Sequence, residues 1–461
     1  MPNLLAYVML FGWPIYIRWA LRHYSTKKAI FISLALALIL LPSDFSVDPP
    51  FIPPLEKDSI TYLSLVVFLI MLGKKFRVFL PGLPTKLIIG YLLATFFSSM
   101  LNSDPVFTGL KLLPGISLYD TLTFVLLAFL SMTPFFFGRY FSTGLRDAEE
   151  YYKVLVAMAL IYSLPMLLEV RISPQLQAIV YGFNAADFLQ QIRDGGYRPM
   201  VFYGHGLGLA FWFATCVVGL AALIKCKVRR VAGFPSALIL FYFLIVLVFC
   251  KTWSAMFYAM LSMGFIFLLS PSRQVKYSFI LAVFVLLYPI AKVSGILPEK
   301  QLIASIEEKN TGRAQSLNFR FENENVLLAH ALERPYFGWS GYGRIFVYDD
   351  FGKNKTVVDG RWIIELAAHG IVGFIFYYAI LLVPLYYAKK NVDKIQDPID
   401  KIYFASLAVM LSICILDSIP NTGMRSIHLF LAGALLGQSE ALKKLGKTKK
   451  AVVHDSSRGE P

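Results

Sequence analysis

About thirteen apolar runs divide this chain, most of roughly 17–22 residues, the length an α-helix needs to cross hydrocarbon. They lie near 4–21, 28–42, 59–73, 86–101, 121–137, 153–169, 203–224, 234–250, 253–270, 277–294, 361–388, 402–417 and 425–440. Backbone N–H and C=O groups in lipid must be satisfied within the segment, so runs of this kind fold as helices. The two-residue alternation of a membrane β-barrel is absent. Charged residues are only 16% of the chain and hydrophobic ones 57%, against about 25% charged in a soluble domain. The expected fold is all-α, a polytopic transmembrane bundle of about 12–13 spans.

Charge orients the spans. The net charge of +15 is spread over connectors, at Arg22/Lys27/Lys28, Lys74/Lys75/Arg77, Lys225/Lys227/Arg229/Arg230, Lys389/Lys390 and Lys443/Lys444/Lys447. A nucleic-acid binder would gather it on one domain; spread this way it follows the positive-inside rule. With the basic connectors in the cytoplasm, segments 43–58, 102–120, 171–200, 295–360 and 418–424 fall outside, and an odd span count puts the N-terminus outside with them. The first run lacks a basic flank and a small-residue cleavage site and reads as a retained span. Four cysteines, Cys216, Cys226, Cys250 and Cys414, form no CxxC pair, which argues against a disulfide framework or a cysteine-held zinc. No internal repeat of the inverted-transporter kind is evident.

The chain thus divides into an N-terminal bundle (1–294, with the outer loop 171–200), a large polar loop (295–360), C-terminal helices (361–440) and a tail (441–461) whose composition is that of a solvated, disordered end. In the first loop Arg193, Arg198 and His205 crowd a re-entry point; a lone arginine there would only snorkel. In the second, NFRFENENVLLAHALERP reads as an amphipathic helix opened by Arg320, with Phe321, Val326, Leu328 and Leu332 on its apolar face and Pro335 at its end. Arg334 and Arg344 flank that end, and FGWSGYGR reads as a tight turn. In VDGRWIIELAAHG, residues Arg361, Glu365 and His369 fall at i, i+4, i+8 on one helix face, just below Asp359. Ionisable residues inside a span are costly and are functional candidates; the plainer alternative is an Arg361–Glu365 pair that staples the helix.

A site facing outside has no ATP or nucleotide sugars, so a glycosyl donor there arrives pre-activated, usually as a polyprenyl pyrophosphate lipid. Transfer from it needs arginines for the pyrophosphate, a base for the acceptor hydroxyl and a greasy groove for the tail. Arg198, Arg320, Arg344 and Arg361 suit the first role, with His205 and His330 as further substrate contacts. Asp359, Glu365 and His369 suit the second, and His330 is also within its chemistry. No DxD-like pair sits in the outer loops, so neither a metal nor another cofactor is called for.

The chain resembles the bacterial O-antigen ligase and Wzy-type O-antigen polymerase superfamily over about residues 150–385. GGYRPMVFYGHGLGLAF is similar to that family's arginine loop, RFENENVLLAHALERPYFGWSGYG to its arginine, amphipathic helix, proline and glycine-rich turn, and DGRWIIELAAHGIVGF to its re-entry helix ending in G-I-x-G. The resemblance implies a metal-independent, inverting glycosyltransferase of surface polysaccharide synthesis in the bacterial inner membrane, its active site facing the periplasm. Its donor would be an undecaprenyl-pyrophosphate-linked glycan held by Arg198 and Arg320, its acceptor a glycan or lipid A–core, with a chain-length regulator or flippase as partners. Where the ligases carry His-Asn, counting back from Gly370, this chain has Asp359-Gly360. That departure favours a polymerase of O-antigen or exopolysaccharide repeat units over a ligase. From another class, a multi-span transporter would place its charges at the bilayer midplane, within broken helices.

Overall fold

The computed structural model describes all residues except 50–52, 186–187, 194, 309–310, 423 and 457–461, and gives only backbone for 188–189, 193 and 445–456. Its helices are α1 (Leu4–His23), α2 (Thr26–Leu40), α3 (Lys57–Met71), α4 (Leu83–Met100), α5 (Leu118–Ser131), α6 (Thr133–Phe141), α7 (Asp147–Ile172), α8 (Leu176–Tyr181), α9 (Gly206–Lys225), α10 (Ser236–Phe249), α11 (Trp253–Leu268), α12 (Pro271–Leu286), α13 (Tyr288–Val293), α14 (Glu299–Glu307), α15 (Thr311–Glu333), α16 (Arg361–Asn391), α17 (Pro398–Asp417) and α18 (Ser426–Ser456). Every expected apolar run falls on one of them, with α5–α6 and α12–α13 each making one bent rod. Among the described residues eight segments are long and apolar enough to cross a membrane: α1, α4, α5–α6, α7, α9, α12–α13, α16 and α17. The chain therefore has the make-up of a multi-pass membrane protein. Twelve or thirteen crossings is more than length alone supports. The 14 to 16 residues of α2, α3, α10 and α11 reach about 21–24 Å, short of a hydrocarbon core of about 30 Å.

Successive rods run back and forth between two ends. At one end Asn3 donates its backbone N–H to Tyr181 (2.9 Å), Gln177 donates to the Ser43 carbonyl (3.0 Å), and Leu110 donates to Asp350 (3.0 Å). Arg361 donates to Asn421 (3.1 Å) and Arg425 lies over the Tyr203 ring at 5.5 Å, so the described residues of segments 41–56, 101–117, 173–205, 294–360 and 418–425 share this end, called here the loop end. The other end holds the basic connectors, where Lys28 pairs with Glu150 (2.9 Å) and Arg139 with Glu440 (2.8 Å). At the centre, α9 and α17 are apolar nearly all round and are the most enclosed of the spans, as such helices must be.

The loop that carries Arg198 is fixed by one carboxylate. Glu169, near the end of α7, is 1% exposed and accepts the backbone N–H groups of Met200 (2.7 Å), Val201 (2.8 Å) and Leu176 (2.9 Å). A short hairpin, Ile192–Arg193 against Gly196–Tyr197, leads into it.

Helix α16 is broken at Gly370, where φ is 63° and ψ −169°. That region of backbone space belongs almost wholly to glycine. The break frees the carbonyls of Ala367 and Ala368 and the N–H groups of Ile371 and Val372, which an unbroken helix would pair with each other. The PYFGWS turn supplies both halves. Trp339 and Ser340 donate to Ala367 (2.7 Å) and Ala368 (2.9 Å), while Pro335 and Tyr336 accept from Ile371 (2.8 Å) and Val372 (3.2 Å). Non-helical backbone at this depth survives only when protein satisfies it. The expected tight turn is therefore a plug seated in a span.

Three expectations are corrected. Helix α15 begins at Thr311, so Arg320 sits in its interior and does not open it; the polar first turns carry no apolar period to announce a helix. Its buried face is Ala314, Phe321, Leu327, Leu328 and Ala331, whereas Val326 and Leu332 are exposed. The tail read as disordered continues α18 as helix to Ser456, consistent with a run rich in Ala, Leu and Lys.

Candidate functional site

The residues flagged in the sequence fall into four places. The first is a cavity of about 290 Å³ at the loop end, between α11, α15, α17 and the start of α16. Arg320 and Asp359 stand on its wall with Nε and Oδ2 3.4 Å apart. Asp359 is placed from both sides. Asn323 on α15 accepts the Val357 N–H (2.8 Å), and the first turn of α16 donates Arg361 N–H to the Asn421 carbonyl (3.1 Å) and Trp362 N–H to that of Ser418 (3.3 Å). Gly360 makes this approach possible, because a Cβ there would lie 2.1 Å from the Ile419 carbonyl oxygen. Arg320 also reaches the Pro420 carbonyl at 3.5 Å. Both Arg320 contacts are long, so exchanging them for an incoming anion costs little.

The rest of this cavity is mostly apolar, with a few polar groups on it or just behind its wall. Glu324 accepts from the Tyr288 hydroxyl (2.7 Å) and pairs with Lys292 (3.3 Å), which also meets Glu299 (2.6 Å). Asp417 accepts from Asn421 (2.7 Å) beside Tyr258. Phe257, Leu317, Phe321, Leu327, Ile363 and Leu416 supply most of the apolar surface. The Glu324 and Asp417 groups were not singled out from sequence. Their partners come from separate helices, and no local spacing announces them.

The second place is the Arg361, Glu365, His369 stripe. It is a stripe in three dimensions too, but it faces α4 and not the cavity. Glu365 is fully buried, bonded to Arg361 (2.5 Å) and His369 Nδ1 (3.0 Å) and accepting from the Tyr91 hydroxyl (3.1 Å). Arg361 also lies over the Tyr377 ring at 5.0 Å. Every partner of Glu365 is internal, so the network staples the upper half of α16 to α4, and of the three catalytic candidates Glu365 and His369 lie off the cavity while Asp359 is on its wall. Replacing Glu365 by alanine leaves two cationic groups and a phenol without their acceptor and is expected to destabilise the protein by about 3 kcal/mol, with glutamine milder; reversible denaturation in mixed micelles reads both.

The third place is the PYFGWS plug. His330 stacks on Trp339 (4.4 Å, 13°) and its Nε2 meets the Arg344 carbonyl (2.9 Å). Arg334 covers the same indole at 4.2 Å. Arg344 is 1% exposed and donates to the carbonyls of Asp104 (2.8 Å) and Pro114 (3.1 Å); burial, with Arg334 close by, lowers its pKa. His330 and Arg344 therefore hold the plug to segment 101–117 and do not reach the cavity.

The fourth place is the start of α9. Arg198 is buried, its Nη2 3.4 Å from the Lys251 carbonyl. Its chain fills the space beside Gly206, where a Cβ would lie 2.4 Å from Arg198 Cδ. His205 caps α9, its Nδ1 accepting from Leu207 N–H (3.2 Å). Arg198 is not among the residues lining the Arg320–Asp359 cavity; the Lys251 carbonyl it meets is on the α10–α11 connection, where Trp253 stacks under Arg313 of α15 at 4.2 Å. The Arg193 side chain lies outside the described residues.

Among the described residues no group of three His, Cys, Asp or Glu side chains is spaced to hold a metal ion. Compared with known proteins, the chain matches no family model, and no curated protein is similar to it at a significant level.

Proposed function

We propose that this protein is a membrane glycosyltransferase that polymerises repeat units from a polyprenyl-pyrophosphate-linked glycan, acting in the bacterial inner membrane with the loop end facing the periplasm. The observation that carries the reading is the Arg320–Asp359 pair on the wall of a mostly apolar cavity. An anionic lipid-linked donor suits such a wall. Its pyrophosphate draws Arg320 off Asp359, because a guanidinium fork matches phosphate oxygens. With Arg320 on the phosphate, the Asp359 carboxylate is open to the acceptor hydroxyl. It takes the proton from the acceptor hydroxyl as the new C–O bond forms, while the anomeric carbon–phosphate oxygen bond breaks and the lipid pyrophosphate leaves with the electron pair. Arg198 would meet the donor from the start of α9, beside the α10–α11 connection.

A transporter reading gains one point from the broken helix α16, since transporters place sites at such breaks. Here, however, the four freed backbone groups are all taken by residues 335–340, leaving none to coordinate an ion. The deciding experiment is deletion of the gene followed by a gel of surface glycans. A polymerase loss leaves single-unit glycans still attached; a ligase loss leaves bare acceptor with long chains stranded on carrier lipid. An unchanged ladder together with altered solute flux would overturn the enzyme reading.

A further inference from the structure

A second loop-end cavity, of about 230 Å³, shares no wall with the first and opens where α3, α9 and α18 begin. Its lining brings Asp44, Lys57, Asp58, Tyr203, His205 and Arg425 together from four stretches of chain. Lys57 and Arg425 stand over the same Tyr203 ring, at 5.9 and 5.5 Å. Lys57 donates to Ser43 Oγ (2.6 Å). Among the described residues none of the carboxylates of Asp44, Asp58 or the adjoining Glu56 closes an ion pair with Lys57 or Arg425, although they lie near enough to feel one another. The Tyr203 hydroxyl is buried with no protein partner. Asp44 and Val201 hold left-handed backbone, φ 54° and 48°, a strain that persists only where the surroundings enforce it. Burial pushes the Asp44 and Glu56 carboxyls up from their ordinary values.

The lining selects its ligand by elimination. An anion would meet three carboxylates. A cation would meet Lys57 and Arg425. An apolar group would strip water from all five charges without repaying them. A neutral sugar ring satisfies both signs of charge: its hydroxyls donate to the carboxylates and accept from Lys57 and Arg425. We propose that this cavity is a carbohydrate-binding subsite for a neutral sugar ring. Its occupant in the cell, the acceptor glycan, rests on the function proposed above.

The test uses the full-length protein in phospholipid nanodiscs, which carry no sugar headgroups. Saturation-transfer NMR is run with free glucose, galactose and N-acetylglucosamine, with glucuronate and inorganic phosphate as charged probes. Transfer to ring protons of at least one neutral sugar is expected, falling severalfold in Asp58→Asn and in Arg425→Gln and unchanged in Arg320→Lys. Circular dichroism confirms folding, and Asp44→Asn gives a third, independent wall. Absence of transfer to every neutral sugar overturns the subsite, as does transfer that survives all three wall variants or an Arg425-dependent response to phosphate or glucuronate alone. Those outcomes leave the glycosyltransferase reading to the surface-glycan gel, and an unchanged gel leaves the subsite to the NMR.

Discussion

Arg320→Lys is expected to lower glycan transfer on the order of 10²-fold or more, the loss typical of removing one preorganised donor from a developing anion. Lysine keeps the charge but loses the planar fork that can hold two phosphate oxygens at once. Arg320 is about a third exposed and its contacts are long, so the variant should fold normally, and the defect should appear as a collapsed polymer ladder at wild-type protein level. Asp359→Asn should match it, because the amide cannot take the acceptor proton. The two effects should not add, since each variant disables the same pair. A full ladder in the lysine variant would reduce Arg320 to a plain charge and remove the main support for phosphate recognition.

The largest effect on folding is expected at Gly370. A Cβ there would lie 2.3 Å from the backbone of Tyr336, at a φ of +63°. Strain of this kind costs about 1–3 kcal/mol by itself. Backbone on both sides leaves nothing flexible to yield, so Gly370→Ala should expel the plug and lose most folded protein. Gly338→Ala, at φ +69° and 2.5 Å from the Ala367 carbonyl, should do nearly as much. Gly12 and Gly264, helical glycines with open space around them, are matched controls; alanine there should be neutral or slightly stabilising. Detergent-resistant yield and the thermal midpoint separate the two classes, and equal loss at all four positions would mean that the plug is not what the glycines serve.

Helices were legible because run length and apolar content are local properties. The stripe of Arg361, Glu365 and His369 was legible for the same reason, since i, i+4, i+8 spacing places residues on one face whatever lies opposite. What that face meets is decided by α4, and Tyr91 carries no mark in the sequence that it will accept the role. The Arg320–Asp359 pair was half legible. Both residues stood out as charges beside a span, but their meeting depends on Asn323 and on the turn after α17. The carbohydrate cavity was hidden more completely. Lys57 sits near the end of the outer segment 43–58, and Arg425 opens the last apolar run; only the convergence of three helix starts makes them neighbours. Gly370 was visible as a residue of the G-I-x-G pattern, yet a positive φ cannot be read from a glycine in an apolar run.

The plug also limits what can be exchanged between this protein and any counterpart. Because residues 335–340 hold four hydrogen bonds inside a span that begins two dozen residues later, the polar excursion is not a detachable cassette. A chimera with a foreign stretch between α13 and α16 must bring its own partner for 367–372, or it will leave an open seam in the bilayer.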